Sequence, residues 1–283
     1  MKAYLDCYPC LLNQALSTAR MFTSDEKKIH DILKSVCRLL PTLSFDATPP
    51  EMGREMYRLI SDKTGIEDPF KAIKDQYTRQ ALQLYPELKT LVQSSEDRLL
   101  TAVRVSIAGN VIDFGSPRKF NIEQDLKTIL HQKFAVDFYQ EFRQSLSEAH
   151  KVLFIGDNAG ETVFDRLLIE ELGKPVIYVV RDRPVLNDAV AQDAVDAGID
   201  KVAEILSSGS DAPGNILRLC SGAFLKAYRS SDLVISKGQG NYEGLSDEAR
   251  PIFFLLKAKC HVIASDIGVP QGSIILMKAK KAS

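Results

Sequence analysis

KVLFIGDNAGE, residues 151–161, opens with an unbroken apolar run at 152–155 that carries β-branched members and stops at Gly156. A short run of this kind, bounded by glycine, is the pattern of a strand buried on both faces of a sheet. Asp157 and Asn158 stand where that strand ends, and Ala159 and Gly160 let the backbone turn and approach a neighbour closely. Glu161 then opens an amphipathic helix, ETVFDRLLIEEL, closed by Gly173. Ligands of open α/β sheets bind in the crevice beyond the carboxyl ends of the strands. Asp157 and Asn158 are therefore expected to line an active site.

Outward from this stretch the alternation of strand and helix continues. Strands are expected at 175–180, 201–206 and 232–236, separated by a loop RDRPVLND (181–188), a helix to 197 and a helix over 215–227. Further strands are expected at 252–256 and 274–277. This alternation marks a parallel, doubly wound sheet. Upstream, residues 1–100 read as helices. Thr23 with Glu26 forms a capping box, Pro41 ends that helix, and Thr48 with Glu51 forms a second box behind Pro49 and Pro50. That helix stops near Gly65; Asp68-Pro69 opens another, broken before Pro86, and a later one spans 97–107. A long amphipathic helix, or two, covers 121–149. The chain is expected to divide into a helical N-terminal domain, 1–100, and an α/β metal-binding catalytic domain, 101–283.

The 283 residues, 45% of them hydrophobic, suffice for such a pair of cores. Lys plus Arg number 36 and Asp plus Glu 37, a balance that argues against a nucleic-acid binder driven by phosphate attraction. No apolar window of about 18 residues and no secretory h-region occur, so no membrane association and a cytoplasmic location are expected. Five cysteines do not resemble a secreted disulfide framework. No pattern in the chain speaks to oligomeric state.

Three loops share one placement at the carboxyl edge: Asp157-Asn158, Asn187-Asp188 and the segment SKGQGNYE at 236–243. Carboxylates and an amide oxygen are hard ligands that suit an octahedral divalent ion such as Mg²⁺ or Mn²⁺, with Co²⁺ and Ni²⁺ as further candidates. Lys237, beside Gly238 on a loop with exposed amides, suits an anionic group such as phosphate. Gly238 and Asn241 are expected beside the substrate, and the loop SGSDAPG (208–214) offers an anion contact before the next helix. Each has a bland alternative: Asp157-Asn158 and Asn187-Asp188 are natural helix caps, and KGQG is an ordinary turn. Their coincidence at one edge favours the functional reading. Asn110 and Asp113, in AGNVIDFG (108–115), stand between glycines and are expected near the substrate, or as turn formers. Cys7-Tyr-Pro-Cys10 is a CxxC that suits a soft metal or a redox disulfide, with Cys260 as a third ligand, or else two buried hydrophobes at a helix start.

GDNAGE at 156–161, PVLND at 184–188, DLVISKGQGNYEGL at 232–245 and AGNVIDFG together resemble the metal-dependent damage-control phosphatases. CYPC, SGSDAPG and KAKCHVIASDIGVPQG (257–272) are similar to the prokaryotic, CxxC-bearing branch of that family. The resemblance runs over nearly the whole chain. It implies a three-layer α/β/α domain under a helical N-terminal domain, a divalent ion on Asp157, Asn158 and Asp188, and Lys237 near the phosphate. It also implies hydrolysis of phosphate monoesters of small metabolites such as sugar phosphates. The mechanism expected on this basis is attack by a metal-activated water, with Glu161 orienting that water or supporting a ligand. Haloacid-dehalogenase phosphatases place a DxD at a strand end, whereas Ala159 follows here, which argues against a phospho-aspartyl intermediate. Two other classes compete: an adenosyl-methionine-dependent methyltransferase, although the turn lacks GxGxG, and a metal or redox module centred on Cys7, Cys10 and Cys260.

Overall fold

The computed structural model describes residues 1–111, 130 and 132–279, with the side chains of 110 and 111 excepted. Seven strands form one sheet: β1 (Val136–Asp137), β2 (Val152–Ile155), β3 (Val176–Val180), β4 (Glu204–Ser207), β5 (Leu233–Lys237), β6 (Phe253–Lys257) and β7 (Ile274–Lys278). Their spatial order is β1-β7-β6-β5-β2-β3-β4. All neighbouring pairs are parallel except β6 and β7, which run antiparallel. The expected doubly wound sheet is thus present, with one reversed strand and a two-residue β1 too short to carry an apolar signature.

Period-2 alternation sorts the strand residues into two cores. Val152, Phe154, Val176, Tyr178, Val180, Leu233 and Ile235 face one layer of helices, while Leu153, Ile155, Ile177, Val179 and Val234 face the other. Every residue of β2, β3 and β5 is buried, as strands covered on both faces require. A third cluster holds α1 (Cys7–Phe22), α2 (Glu26–Leu39) and α3 (Pro49–Thr64) together, with Val185 and Leu186 of the β3 loop packed into it. The helices α4 (Lys71–Ser94) and α5 (Arg98–Val111) belong to the first sheet core instead, through Ala81, Leu88, Val92, Ala102, Val103 and Val105.

The Thr48 capping box forms, with Thr48 N–H donating to Glu51 Oε2 at 2.6 Å, and Gly65 closes α3 in the left-handed region at φ +67. The expected Thr23 box does not form. Asp25 is the N-cap of α2, its Oδ1 accepting from Lys27 N at 2.9 Å, while Thr23 Oγ1 accepts from Asp25 N. Nor does Pro86 break a helix: α4 runs through it, because Ala81, Leu88 and Val92 on both sides of the proline are buried in one core. The helix expected over 215–227 is a 3₁₀ turn at Leu217–Leu219 followed by a helix at Gly222–Ser230, which Ser221 caps by accepting from Phe224 N at 3.2 Å. No helix among the described residues is long and apolar enough to cross a membrane.

Candidate active site

From β2 the chain proceeds to β3 and β4 on one side, then crosses back to β5 on the other side of β2. The carboxyl ends of β5, β2 and β3 therefore flank the point where strand order reverses, the usual crevice of a doubly wound sheet. Two loops are tied there by backbone hydrogen bonds. Ala159 N–H donates to Asn187 O at 2.9 Å, Ala189 N–H donates to Asp157 O at 2.8 Å, and Asn158 pairs with Asp188 in an antiparallel bridge. Leu186, between them, sits at φ +49, a left-handed conformation that is unusual for a leucine and is held here by packing against the helical cluster. Asp157, Asn158 and Asp188 are thereby brought together, as the sequence led us to expect. Neither Asp157-Asn158 nor Asn187-Asp188 caps a helix: Glu161 and Val190 hold the N-cap positions.

The amide of Asn158 is oriented by two carboxylates. Its Nδ2 donates to Asp157 Oδ2 and to Glu161 Oε2, both at 3.1 Å, which leaves its Oδ1 available as a donor to a cation. Asp188 is gripped by Arg181, whose Nε donates to Asp188 Oδ2 at 2.7 Å and whose Nη2 stands 3.8 Å from Asp157 Oδ1. The loop has a further anchor. Lys74, fully buried, pairs with Asp68 and Asp193 at 2.8 Å each, and Asp193 in turn accepts from Val190 N. Burial, with Asp188 and Glu161 nearby, pushes the Asp157 carboxyl up to about 8. Burial likewise raises Asp188, against the opposing pull of Arg181.

Lys237 does not lie on a loop. It is the last residue of β5, and alternation after Leu233 and Ile235 turns it under the helices of the first core, fully buried. Its ammonium donates to Glu161 Oε1, to Asp165 Oδ1 at 2.5 Å and to the carbonyl of Ser106 in α5 at 2.9 Å. Ser106 Oγ and Tyr178 Oη both donate to Asp165. Burial disfavours the lysine charge, yet Asp165 and Glu161 raise its pKa, and burial pushes Asp165 up to about 6. Lys237 is therefore placed behind Glu161 and Asn158 and not against the cleft, because α5 closes over it.

Asn241 also differs from its expected place beside a substrate. It is fully buried; its Nδ2 donates to Gly156 O and Lys237 O, and its Oδ1 accepts from Arg181 Nη2 and Asn215 N. It locks the ends of β2, β3 and β5 to the loop 208–215. Gly238, at φ +80, has the carboxylate of Asp157 where a Cβ would stand, and Gly240 has the carbonyl of Pro213 there, so these glycines let the segment close onto the site. The loop 208–214 consequently packs against the helix Gln239–Leu245 and does not lead into a helix N-terminus. Asp113 and the side chain of Asn110 lie outside the described residues.

These groups floor a cleft of about 420 Å³ lined by Asp157, Asn158, Asp188, Gln239, Glu243, Lys259 and His261, with Leu11, Pro49, Pro50, Leu186 and Pro213 on its cap side. Cys7, Cys10 and Cys260 line it too. All five cysteines are free thiols, and among the described residues no group of three or more Cys, His, Asp and Glu stands ready to hold a metal. The expected three-thiol site is thus not assembled, although its members share the cleft. The hard site fits a divalent cation better. Four carboxyl groups, those of Asp157, Glu161, Asp165 and Asp188, are buried against two cations, Lys237 and Arg181, and the donors facing the cleft are carboxyl and amide oxygens.

Arg181, Asp165 and Lys259 did not stand out in the sequence. A signal existed for the first two: Arg181 directly follows five apolar strand residues, and Asp165 falls four residues after Glu161 on the buried face of its helix.

The family model described as Damage-control phosphatase ARMT1-like domain matches residues 3–275. The chain is 36% identical over 286 residues to an uncharacterized protein of Methanocaldococcus jannaschii, covering 96% of this chain and 94% of that one. It is 34% identical over 278 residues to a damage-control phosphatase of Archaeoglobus fulgidus, covering 95% and 96%. The crystal structure of a DUF89 family protein from Pyrococcus horikoshii superposes with a TM-score of 0.92 at 31% identity, covering 99% of this chain and all of that one. With the fold, the convergent loops and this match over nearly its full length, the chain belongs to the damage-control phosphatase family of ARMT1-like domains.

Proposed function

We propose that the protein is a metal-dependent phosphatase that hydrolyses phosphate monoesters of small metabolites, sugar phosphates among them. The observation that carries this reading is the backbone tie between the β2 and β3 loops, which sets Asp157, Asn158 and Asp188 side by side on the floor of one cleft. These three residues hold the divalent ion, Mg²⁺, Mn²⁺, Co²⁺ or Ni²⁺. When bound, such an ion polarises a phosphoryl oxygen and lowers the pKa of a coordinated water. The protein's own part is positional. Glu161 fixes the Asn158 amide, Lys237 fixes Glu161, and Arg181 fixes Asp188, so the donors are aligned before substrate arrives. The cap side, with Leu11, Pro49, Pro50, Leu186 and Pro213, excludes water from one wall and accepts the organic part of the ester.

The test is phosphate release from an aryl phosphate and a panel of sugar phosphates, using chelator-stripped protein with each metal added back. Activity that returns with metal is the expected result. Folded protein that releases no phosphate with any of the four ions would overturn the proposal.

A further inference from the structure

The cleft has a charge problem that its metal ligands do not solve. A phosphate monoester arrives as a dianion at neutral pH, and the described residues lining the cleft include the carboxylates of Asp6, Asp157, Asp188 and Glu243. A divalent ion is balanced by the two carboxylates that would hold it, Asp157 and Asp188, so the approaching phosphate still needs a cation of its own. None of the three buried cations among the described residues supplies it, and the first, Lys74, is closed on Asp68 and Asp193. Lys237 is fully buried with its ammonium closed on Glu161, Asp165 and Ser106 O, and Arg181, buried behind the cleft wall, gives its Nε to Asp188 and its Nη2 to Asn241 and does not line the cleft. His261 is paired with Asp6 at 3.2 Å.

Lys259 is placed differently. Among the described residues that line the cleft it is the lysine, and there is no arginine. Its backbone is held on both sides: Lys259 N–H donates to Gln239 Oε1 at 3.2 Å, and Gln271 Nε2 donates to Lys259 O at 2.8 Å. The turn carrying it is closed by Gly272 N–H donating to Ala258 O and Ala258 N–H donating to Ser273 O. A fixed stem thus bears an exposed ammonium that makes no ion pair among the described residues. Its positive charge also acts on Asp157, the carboxylate at the cleft floor.

We infer that Lys259 binds the phosphoryl oxygens of the substrate in this cleft and makes the site selective for dianionic monoesters over monoanionic diesters. The inference rests on the phosphatase reading above. A lysine on a clamped turn meets the phosphate as a point charge, and its contribution to ground-state binding is that of one charge-assisted hydrogen bond, roughly 10- to 100-fold in affinity. Its removal leaves Asp157, Asn158 and Asp188 in place on the cleft floor.

The experiment compares wild type, Lys259→Met and Lys259→Arg in two assays. One is calorimetric titration of Mn²⁺-loaded protein with inorganic phosphate; the other is steady-state kinetics with matched aryl phosphate monoester and diester substrates. Lys259→Met is expected to weaken phosphate binding and raise the monoester KM by about 10- to 100-fold, to narrow the gap between monoester and diester, and to retain one bound Mn²⁺ equivalent. Lys259→Arg is expected to restore most of the loss. Equal phosphate affinity and KM in Lys259→Met and wild type would overturn the inference. Should wild type hydrolyse no ester, the phosphatase reading fails, and the phosphate titration still decides whether Lys259 is the anion site.

Discussion

Asp157→Ala is expected to lower turnover by about three orders of magnitude or more while making the metal-free protein more stable. The first half follows from losing a metal carboxylate, since several kcal/mol of transition-state charge stabilisation go with the ion, and each 1.36 kcal/mol is about tenfold in rate. The second half follows from burial. Desolvation, reinforced by Asp188 and Glu161, holds this carboxyl at about 8 in the folded chain against an ordinary value of 3.8. An acid whose pKa is raised on folding destabilises the native state above the unfolded pKa, because the unfolded chain releases a proton that the folded chain retains. At pH 7 that penalty is on the order of a few kcal/mol, and alanine removes it. The gain should shrink as pH falls toward 4, where the carboxyl is protonated in both states. Thermal unfolding of both proteins with chelator at pH 4 and pH 7, beside their phosphate release with Mn²⁺, checks both halves. A variant that keeps its turnover, or one that is destabilised without metal at pH 7, would contradict the assignment.

Lys237→Met should behave in the opposite way, losing stability and activity together. Removing the ammonium leaves Glu161 and Asp165 in a fully buried pocket without their cation. Breaking a buried ion pair from one side costs roughly 3–5 kcal/mol, which in a chain of this size lowers Tm by on the order of 10 °C. Activity falls because Glu161 no longer holds the Asn158 amide in place. A double variant, Lys237→Met with Glu161→Gln, should regain part of the lost stability, since it removes charge from both sides. An unchanged Tm in the single variant would show that the lysine is not the electrostatic keystone described here. Regained stability without regained activity is the expected pattern for the double variant.

What was legible in the sequence was local or periodic. The runs VLFI, VIYVV and LVIS announce buried strands because burial on both faces leaves no polar alternation to hide them. Asp157, Asn158 and Asp188 could be brought to one edge on paper because each follows a strand of a parallel sheet, whose carboxyl ends all point the same way. The Thr48 box is written within four residues and formed as expected. What was illegible depends on distant packing. Lys237 reads as a loop lysine beside glycine, yet its partners Ser106, Glu161 and Asp165 lie 131, 76 and 72 residues away in the chain. Asn241 looked like a substrate contact for the same reason: its partners Gly156, Arg181 and Asn215 come from three separate loops. Pro86 argued for a break that core burial on both sides of it overrides. Lys259 hid in a basic segment, KAKC, where alternation alone does not say which lysine meets the cleft.

Titration of chelator-stripped protein with Mn²⁺, followed through the spectroscopic signal of the free ion, tests the central claim most directly. Wild type should take up one tightly bound equivalent. Asp157→Ala and Asp188→Ala should lose it, and a variant with Cys7, Cys10 and Cys260 all changed to serine should keep it. Binding that survives both aspartate substitutions and disappears with the cysteines would contradict the account and move the metal to the thiol side of the cleft.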